Sequence, residues 1–261
     1  MRSPVSLRRI LGYLRALRTR SSAEAHTKAV LFSFQTLEQV ISISRIQQLY
    51  YCGSIPSSLN CEGFAKTNVP LSLLQEASGM EALSPDSCAA VVEIPPRIPL
   101  SDIIQRKRVL ILDNVRDPGN VGTILRTCAA FDWSAILSVG CSDPFNDKVI
   151  RASTGSSFSV HWANNATVEQ IVDAIHGCSE TKGGASLTCL TSPSSTRDIR
   201  EISTEGFQGR VRLIVGSEAK GISASWGSLE NTKAVRVESV RIGRGVLNVG
   251  VAASIAMHHL Q

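Results

Sequence analysis

The 261-residue chain has no pair of cysteines spaced C-x-x-C, and its cysteine count of seven is odd. Cys52, Cys61, Cys88, Cys128, Cys141, Cys178 and Cys189 are scattered along the sequence. This argues against a disulfide framework and a zinc ribbon, and predicts reduced, mostly buried thiols. The histidines (His26, His161, His176, His258 and His259) form no metal-ligand pattern, so no metal is expected. Neither a G-x-S-x-G elbow nor a P-loop occurs. No apolar run approaches the ~18–20 residues of a helical membrane span, so the chain reads as soluble and without a membrane partner. Charged residues make up 19% and hydrophobic residues 43%, which permits a sizeable core and excludes a disordered, collagen-like or coiled-coil chain.

Acid is missing from one stretch in particular. Residues 1–23 carry six arginines and no Asp or Glu. Removing those six from the 27 Lys+Arg leaves 21 against 22 Asp+Glu, so the formal +5 belongs to this segment and the rest is near neutral. Any nucleic-acid contact by the rest must come from local patches. Leu7, Ile10, Leu11, Leu14 and Leu17 recur at helical spacing, with Arg8, Arg9, Arg15 and Arg18 between them. This cationic amphipathic pattern lacks the apolar stretch of a secretory signal and predicts an organelle transit peptide outside the fold, mitochondrial before plastid. A basic RNA-binding arm or a surface helix is the alternative.

Residues 24–94 read as a small α/β unit. The pattern predicts a helix over 28–43, a strand near 49–52, a helix over 71–77 and a strand over 89–94, with a Ser/Pro/Asn loop at 53–61. Pro95, Pro96 and Pro99 mark a semi-rigid linker, residues 95–105. From residue 106 to 261 strands and helices alternate. Strands are expected at 109–113, 135–139, 186–190, 211–215 and 234–237, with helices over 121–131 and 246–259. Short apolar strands separated by helices imply a mostly parallel sheet with helices on both faces.

Three segments there could carry chemistry. In each, a glycine-bearing turn leads into a helix start, where free N–H groups favour an anion. The first holds Asn114, Asp117, Pro118, Asn120, Gly122, Arg126 and Thr127. Arg126 follows Gly122 by about one helical turn, and arginine suits bidentate phosphate binding. The second runs Val215-Gly216-Ser217-Glu218 to Gly221, with Ser223 as a candidate cap. The third, Gly243-Arg244-Gly245-Val246-Leu247-Asn248, enters a helix of small residues. Its glycine spacing is wrong for a dinucleotide fingerprint. Taken singly, each also reads as an ordinary capped turn.

Together and in this order, the three segments resemble the SpoU/TrmH family of RNA 2′-O-ribose methyltransferases, part of the SPOUT superfamily. The first matches the family pattern N-x-x-D-P-x-N-x-G-x-x-x-R-T. The resemblance covers about residues 107–260 and implies a SPOUT trefoil-knot domain, residues 106–261, preceded by a small RNA-binding domain, residues 24–94. It also implies an S-adenosylmethionine cofactor, a homodimer, and an RNA substrate, ribosomal before transfer RNA. The family's catalytic arginine falls on Arg126, its motif-two glutamate on Glu218, and its asparagines on Asn120 and Asn248. Cofactor-contacting positions fall on Gly216, Val237 and Leu247, with Thr191, Val215, Ser217, Gly221 and Ile242 around them. Arg106, Lys107, Arg108 and Arg116 are candidate RNA contacts. The chain carries Val237-Glu238-Ser239 where the family has Ile-Pro-Met, and Val246 where it has Ser. A catalytically inactive RNA-binding or ribosome-assembly homologue is therefore the alternative reading.

Overall fold

A computed structural model describes residues 6–20, 27–138, 140–178, 186–191, 195–202, 204, 207–217, 220–229, 232–237 and 247–261. In chain order its elements are α1 (Leu7–Arg18), β1 (Lys28–Leu31), α2 (Phe34–Val40), β2 (Ile46–Cys52), β3 (Ala65–Asn68), α3 (Leu71–Ser78), β4 (Ser87–Glu93), α4 (Leu100–Ile103), β5 (Arg108–Asp113), α5 (Pro118–Phe131), β6 (Ser134–Ser138), α6 (Asp147–Ser153), β7 (Trp162–Ala166), α7 (Val168–Gly177), β8 (Ser186–Thr191), β9 (Arg210–Gly216), β10 (Thr232–Val235) and α8 (Val249–His259). They form two compact units. Unit 1 holds residues 1–96 and 143–159, and unit 2 holds residues 97–142 and 160–261.

Unit 1 is built on a four-stranded sheet ordered β1-β4-β2-β3, antiparallel except for the parallel β2–β3 pair. One face carries Val30, Ala89 and Val91 against α1 and α3. Here the structure corrects the expectation that residues 1–23 stand outside the fold. The apolar stripe of α1 is core: Ile10, Leu14 and Leu17 are buried with Val69, Leu73 and Leu74. An amphipathic helix with arginines on its polar side satisfies a transit-peptide pattern and a packed surface helix equally, and only the partner surface decides between them.

The helix expected over 28–43 is also corrected. Residues 28–31 form β1, and α2 starts only after Ser33, whose hydroxyl accepts from the Thr36 N–H. A short apolar run fits a buried strand and a buried helix alike. The edge strand β3 is exposed along its whole length, so no apolar alternation announced it. The segment 143–159, read as part of one contiguous 106–261 domain, instead packs in unit 1, where α6 lies on β1. Gly155 requires the left-handed region (φ +83°), and a Cβ there would stand 2.8 Å from the Val40 side chain. Asp147, 6% exposed, is held by Arg151 at 2.7 and 2.9 Å, yet burial keeps its pKa above the ordinary range.

Unit 2 is a six-stranded, wholly parallel sheet ordered β10-β8-β9-β5-β6-β7. Side chains alternate across it. Val109, Ile111, Ile136 and Ile214 face a core that includes Ile171 and Val172 of α7 and Trp226. The opposite face is covered by α5 and α8, which pack on β6 and β9 and on each other. The expected α/β class, with a mostly parallel sheet and helices on both faces, is the one observed. The stretch read as a linker carries α4, and Ile103 and Ile104 are fully buried in this core. The proline spacing was real, but the apolar residues after it had a core to join. Strand β7 and helix α7 have no counterpart in the sequence reading. Residues 238–246, which the third motif and the implied knot need, lie outside the described residues. Among the described residues no helix is long and apolar enough to cross a membrane.

Candidate active site

The sequence starts α5 sharply. Asp117 is the N-cap, its carboxylate accepting from the Asn120 N–H at 2.8 Å, and Pro118 takes the first helical position. At the other end Asp132 takes the left-handed C-cap position at φ 55°. The last helix starts the same way: the Asn248 side chain accepts from the N–H groups of Gly250 (2.9 Å) and Val251 (3.3 Å), so α8 begins at 249 rather than the expected 246.

The two helices then run side by side in the same direction. The Asn248 amide donates to the Asn120 side chain at 2.9 Å. Thr127 and Ser254 hydroxyls meet at 2.9 Å, the Cys128 thiol lies 3.7 Å from the Met257 sulfur, and the Phe131 and His258 rings are 5.6 Å apart. These pairs advance together along both helices, so both N-termini, each with a partial positive charge, open at one place. Arg126 is exposed, a turn and a half beyond Asn120, and makes no hydrogen bond or ion pair among the described residues. An unpaired guanidinium keeps all five donors for a ligand.

The second motif sits at the carboxyl end of β9, beside the end of β5. Asp113 and Gly216 are cross-strand neighbours. The chain turns tightly from Ser217 to Gly221, with reciprocal hydrogen bonds of 3.1 and 2.8 Å between those backbones. Only glycine fits at 216, because a Cβ would lie 2.3 Å from the Gly221 carbonyl oxygen. A Cβ on Gly221 would meet nothing within 4 Å, so the turn leaves open space beside its backbone. Asp113, 1% exposed, anchors the chain just beyond this turn. Its carboxylate accepts from the Ser223 N–H (2.6 Å), the Ser223 hydroxyl (3.0 Å) and the Trp226 indole N–H (2.9 Å). Asp113 and Trp226 were missed as site-building residues. The signal at hand was a carboxylate closing an apolar strand.

Around this turn the expected cofactor positions gather on neighbouring strands. Val215 and Gly216 end β9, Thr191 ends β8 and donates to the Ile214 carbonyl at 3.2 Å, and Val237 follows β10, which pairs with β8. Leu247 precedes the α8 cap and is half-buried. Glu218 and Ile242 lie outside the described residues. The candidate RNA contacts do not gather. Arg116 is exposed at the carboxyl end of β5, its guanidinium on the Asn114 side chain at 3.0 Å. Arg106, Lys107 and Arg108 are at the start of β5, about 17 Å away by strand rise. A parallel sheet separates its two edges, so the basic run and the motif loops occupy opposite ends. Among the described residues no group of three or more His, Cys, Asp or Glu could hold a metal.

A wholly parallel α/β sheet whose polar motif residues collect on the loops at its carboxyl edge is an enzyme-type ligand-binding domain. The model of the SpoU rRNA Methylase family matches residues 107–258, and the chain belongs to that family of RNA methyltransferases. It is 30% identical over 211 residues, 79% of this chain and 76% of the relative, to the 23S rRNA (guanosine(2553)-2'-O)-methyltransferase RlmP of Bacillus subtilis (strain 168). A shorter stretch of 64 residues, 24% of this chain, is 48% identical to 15% of the mouse (Mus musculus) protein rRNA methyltransferase 3, mitochondrial. In fold the chain is similar to the SpoU methyltransferase AviRb from Streptomyces viridochromogenes, solved with the cofactor AdoMet, with TM-score 0.81 at 20% identity over 96% of each chain.

Proposed function

We propose that this chain transfers a methyl group from S-adenosylmethionine to a ribose 2′-hydroxyl of ribosomal RNA. The observation that carries the reading is the convergence of the α5 and α8 N-termini, tied by Asn120 and Asn248, with the unpaired Arg126 one and a half turns on. The turn at 216–221 fits the cofactor: Gly216 lets the chain close on Gly221, and open space lies beside the Gly221 backbone. Gly216, Ser217, Gly221, Val215, Thr191, Val237 and Leu247 would hold it.

Bound there, the sulfonium supplies an already activated methyl group. What remains for the protein is alignment and management of one proton. Arg126 acts by holding the phosphate next to the target ribose. That fixes the 2′-oxygen in line with the methyl carbon. With the cofactor held there, its methyl group would pass to the 2′-oxygen as the S–CH3 bond broke, and the hydroxyl proton would leave to water. Asn120 and Asn248 hold the two helix starts together so that their N–H dipoles face the reacting ribose. The presence of Arg126, Asn120 and Asn248 favours an active enzyme over an inactive RNA-binding homologue.

The decisive assay uses a ribosomal RNA transcript and S-adenosylmethionine labelled in the methyl group. A 2′-O-methyl group blocks alkaline cleavage of its own linkage, so label in alkali-resistant dinucleotides supports the reading. Label on a base, or none with the protein shown folded, refutes it. We place the protein in the mitochondrion on the short match to a mitochondrial rRNA methyltransferase, with the plastid as the alternative. Fractionation of cells expressing a tagged full chain tests this. The same reading includes a homodimer: α8 exposes Val251 (46%) and Ile255 (42%) one turn apart beside the site, a surface suited to a second copy. Sedimentation of the wild type against Val251→Glu/Ile255→Glu checks it.

A further inference from the structure

We propose that the outer face of α1, formed by Arg8, Gly12 and Arg15 with Arg9 beside it, is a docking surface for the sugar-phosphate backbone of the RNA. The proposal rests on the RNA-modifying reading above and adds a surface that none of the three motifs contains.

Charge distribution leads to this face. Beyond residue 20, unit 1 carries five basic side chains against nine acidic ones. A unit that meets RNA elsewhere would present net negative charge to it. The six arginines before residue 21 reverse the sign, and the packing of α1 decides which way the four on that helix point. Ile10, Leu14 and Leu17 turn inward. Arg18 donates to the Ser78 carbonyl at 2.6 Å, and Arg20 pairs with Asp143 at 3.1 Å, so these two serve the fold. Arg8 and Arg9 are exposed and form no ion pair among the described residues. Arg15 meets Glu76 at 3.0 Å, yet both side chains are about half exposed. Residues 8, 12 and 15 follow one another at helical spacing on a single face.

Two features of that face are poor choices for a helix that only has to fold. Arg8 and Arg9 lie in the first turn, where the helix dipole favours acids, and that turn has none. Gly12 sits in the helix interior, which costs about 1 kcal/mol relative to alanine. No packing reason offsets it, since a Cβ there would meet nothing within 4 Å. A glycine flanked by exposed arginines instead lets a phosphate backbone approach the helix closely. A membrane surface fits less well, because the apolar stripe a bilayer would take up is already core.

The test measures binding of the full-length protein to a fluorescein-labelled hairpin transcript across a range of salt. Arg8→Glu/Arg9→Glu is the informative variant, because acids in the first turn suit the helix and leave its stability intact. It is expected to lower RNA affinity at least tenfold. The slope of log K against log salt should shrink by about 1.4–1.8, the share of two lost phosphate contacts. Melting temperature and S-adenosylmethionine binding should stay at wild-type values. Gly12→Glu should weaken binding in the same way, and Gly12→Ala only slightly. Wild-type affinity and slope in the charge-reversed variant would overturn the docking surface alone. A wild-type protein that does not bind the RNA would overturn the RNA reading with it. If charge reversal spares RNA but abolishes binding to vesicles containing phosphatidylserine, the face is a membrane contact and the proposal falls.

Discussion

The two units of this chain solve different problems with similar amounts of chain. Unit 2 gathers uncharged and singly charged side chains at the carboxyl edge of a parallel sheet, where helix N-termini and a glycine turn supply the polarity. Unit 1 carries four arginines on one helix, and its residues beyond 20 are acidic in balance. On the proposed roles, geometry would select in the first case and net charge attract in the second. The motif-bearing unit would then depend on a few residues at fixed distances, whereas the other would tolerate looser placement as long as the sign of its field is kept.

Breaking unit 2 at its exposed, unpaired Arg126 should have the largest effect. Arg126→Ala is expected to lower turnover about 10³-fold, within the range for a charged donor that positions the reacting group, while the melting temperature and cofactor affinity change little. Retention of turnover within a few-fold would move the chemistry to another residue. Asp113→Ala separates architecture from chemistry in the same unit. It leaves three donors, the buried Trp226 indole among them, without their acceptor and should cost about 2 kcal/mol. Trp226 emission should also shift, because its indole loses the hydrogen bond, and wild-type fluorescence and melting would contradict the anchoring role.

Leu14→Ala is the matching break in unit 1, expected to cost about 3 kcal/mol as a fully buried leucine. A loss under about 0.5 kcal/mol on chemical denaturation would return residues 1–23 to the status of a detachable segment. Smaller again, Asn248→Ala removes the cap of α8 and should cost about 1 kcal/mol. A double-mutant cycle with Asn120→Ala should reveal coupling between the two asparagines, and strict additivity would deny it. Least of all should alkylation disturb either unit. Burial pushes the Cys88 and Cys128 thiols up and Cys189 to about 11. These three thiols stay protonated at neutral pH, so brief iodoacetamide treatment should label the half-buried Cys52, Cys61, Cys141 and Cys178 before them, as peptide mass mapping would show.

Much of unit 2 was legible because its strands are buried on both faces and read as short apolar runs. Strands β5, β6, β8, β9 and β10 and helices α5 and α8 lie within a few residues of where the sequence places them. Arg126, Asn120 and Asn248 stood out as polar residues at helix starts. Trp226 did not, because nothing local tells a buried tryptophan whose N–H meets a carboxylate 113 residues away from one that only fills space. In unit 1 the four-residue strand β1 was hidden inside a helical pattern, and the exposed β3 had no pattern at all.

By itself the sequence determined the parallel α/β class, the family and the candidate catalytic groups. Alternation, capping residues and motif order are local properties that survive without a partner surface. Tertiary structure alone decided that the apolar stripe of α1 is core, that 143–159 packs with unit 1, and that Arg116 is at the opposite sheet edge from Arg106, Lys107 and Arg108. The physical reason is common to all three. Burial and proximity are properties of pairs of surfaces, and a one-dimensional pattern specifies only one member of each pair.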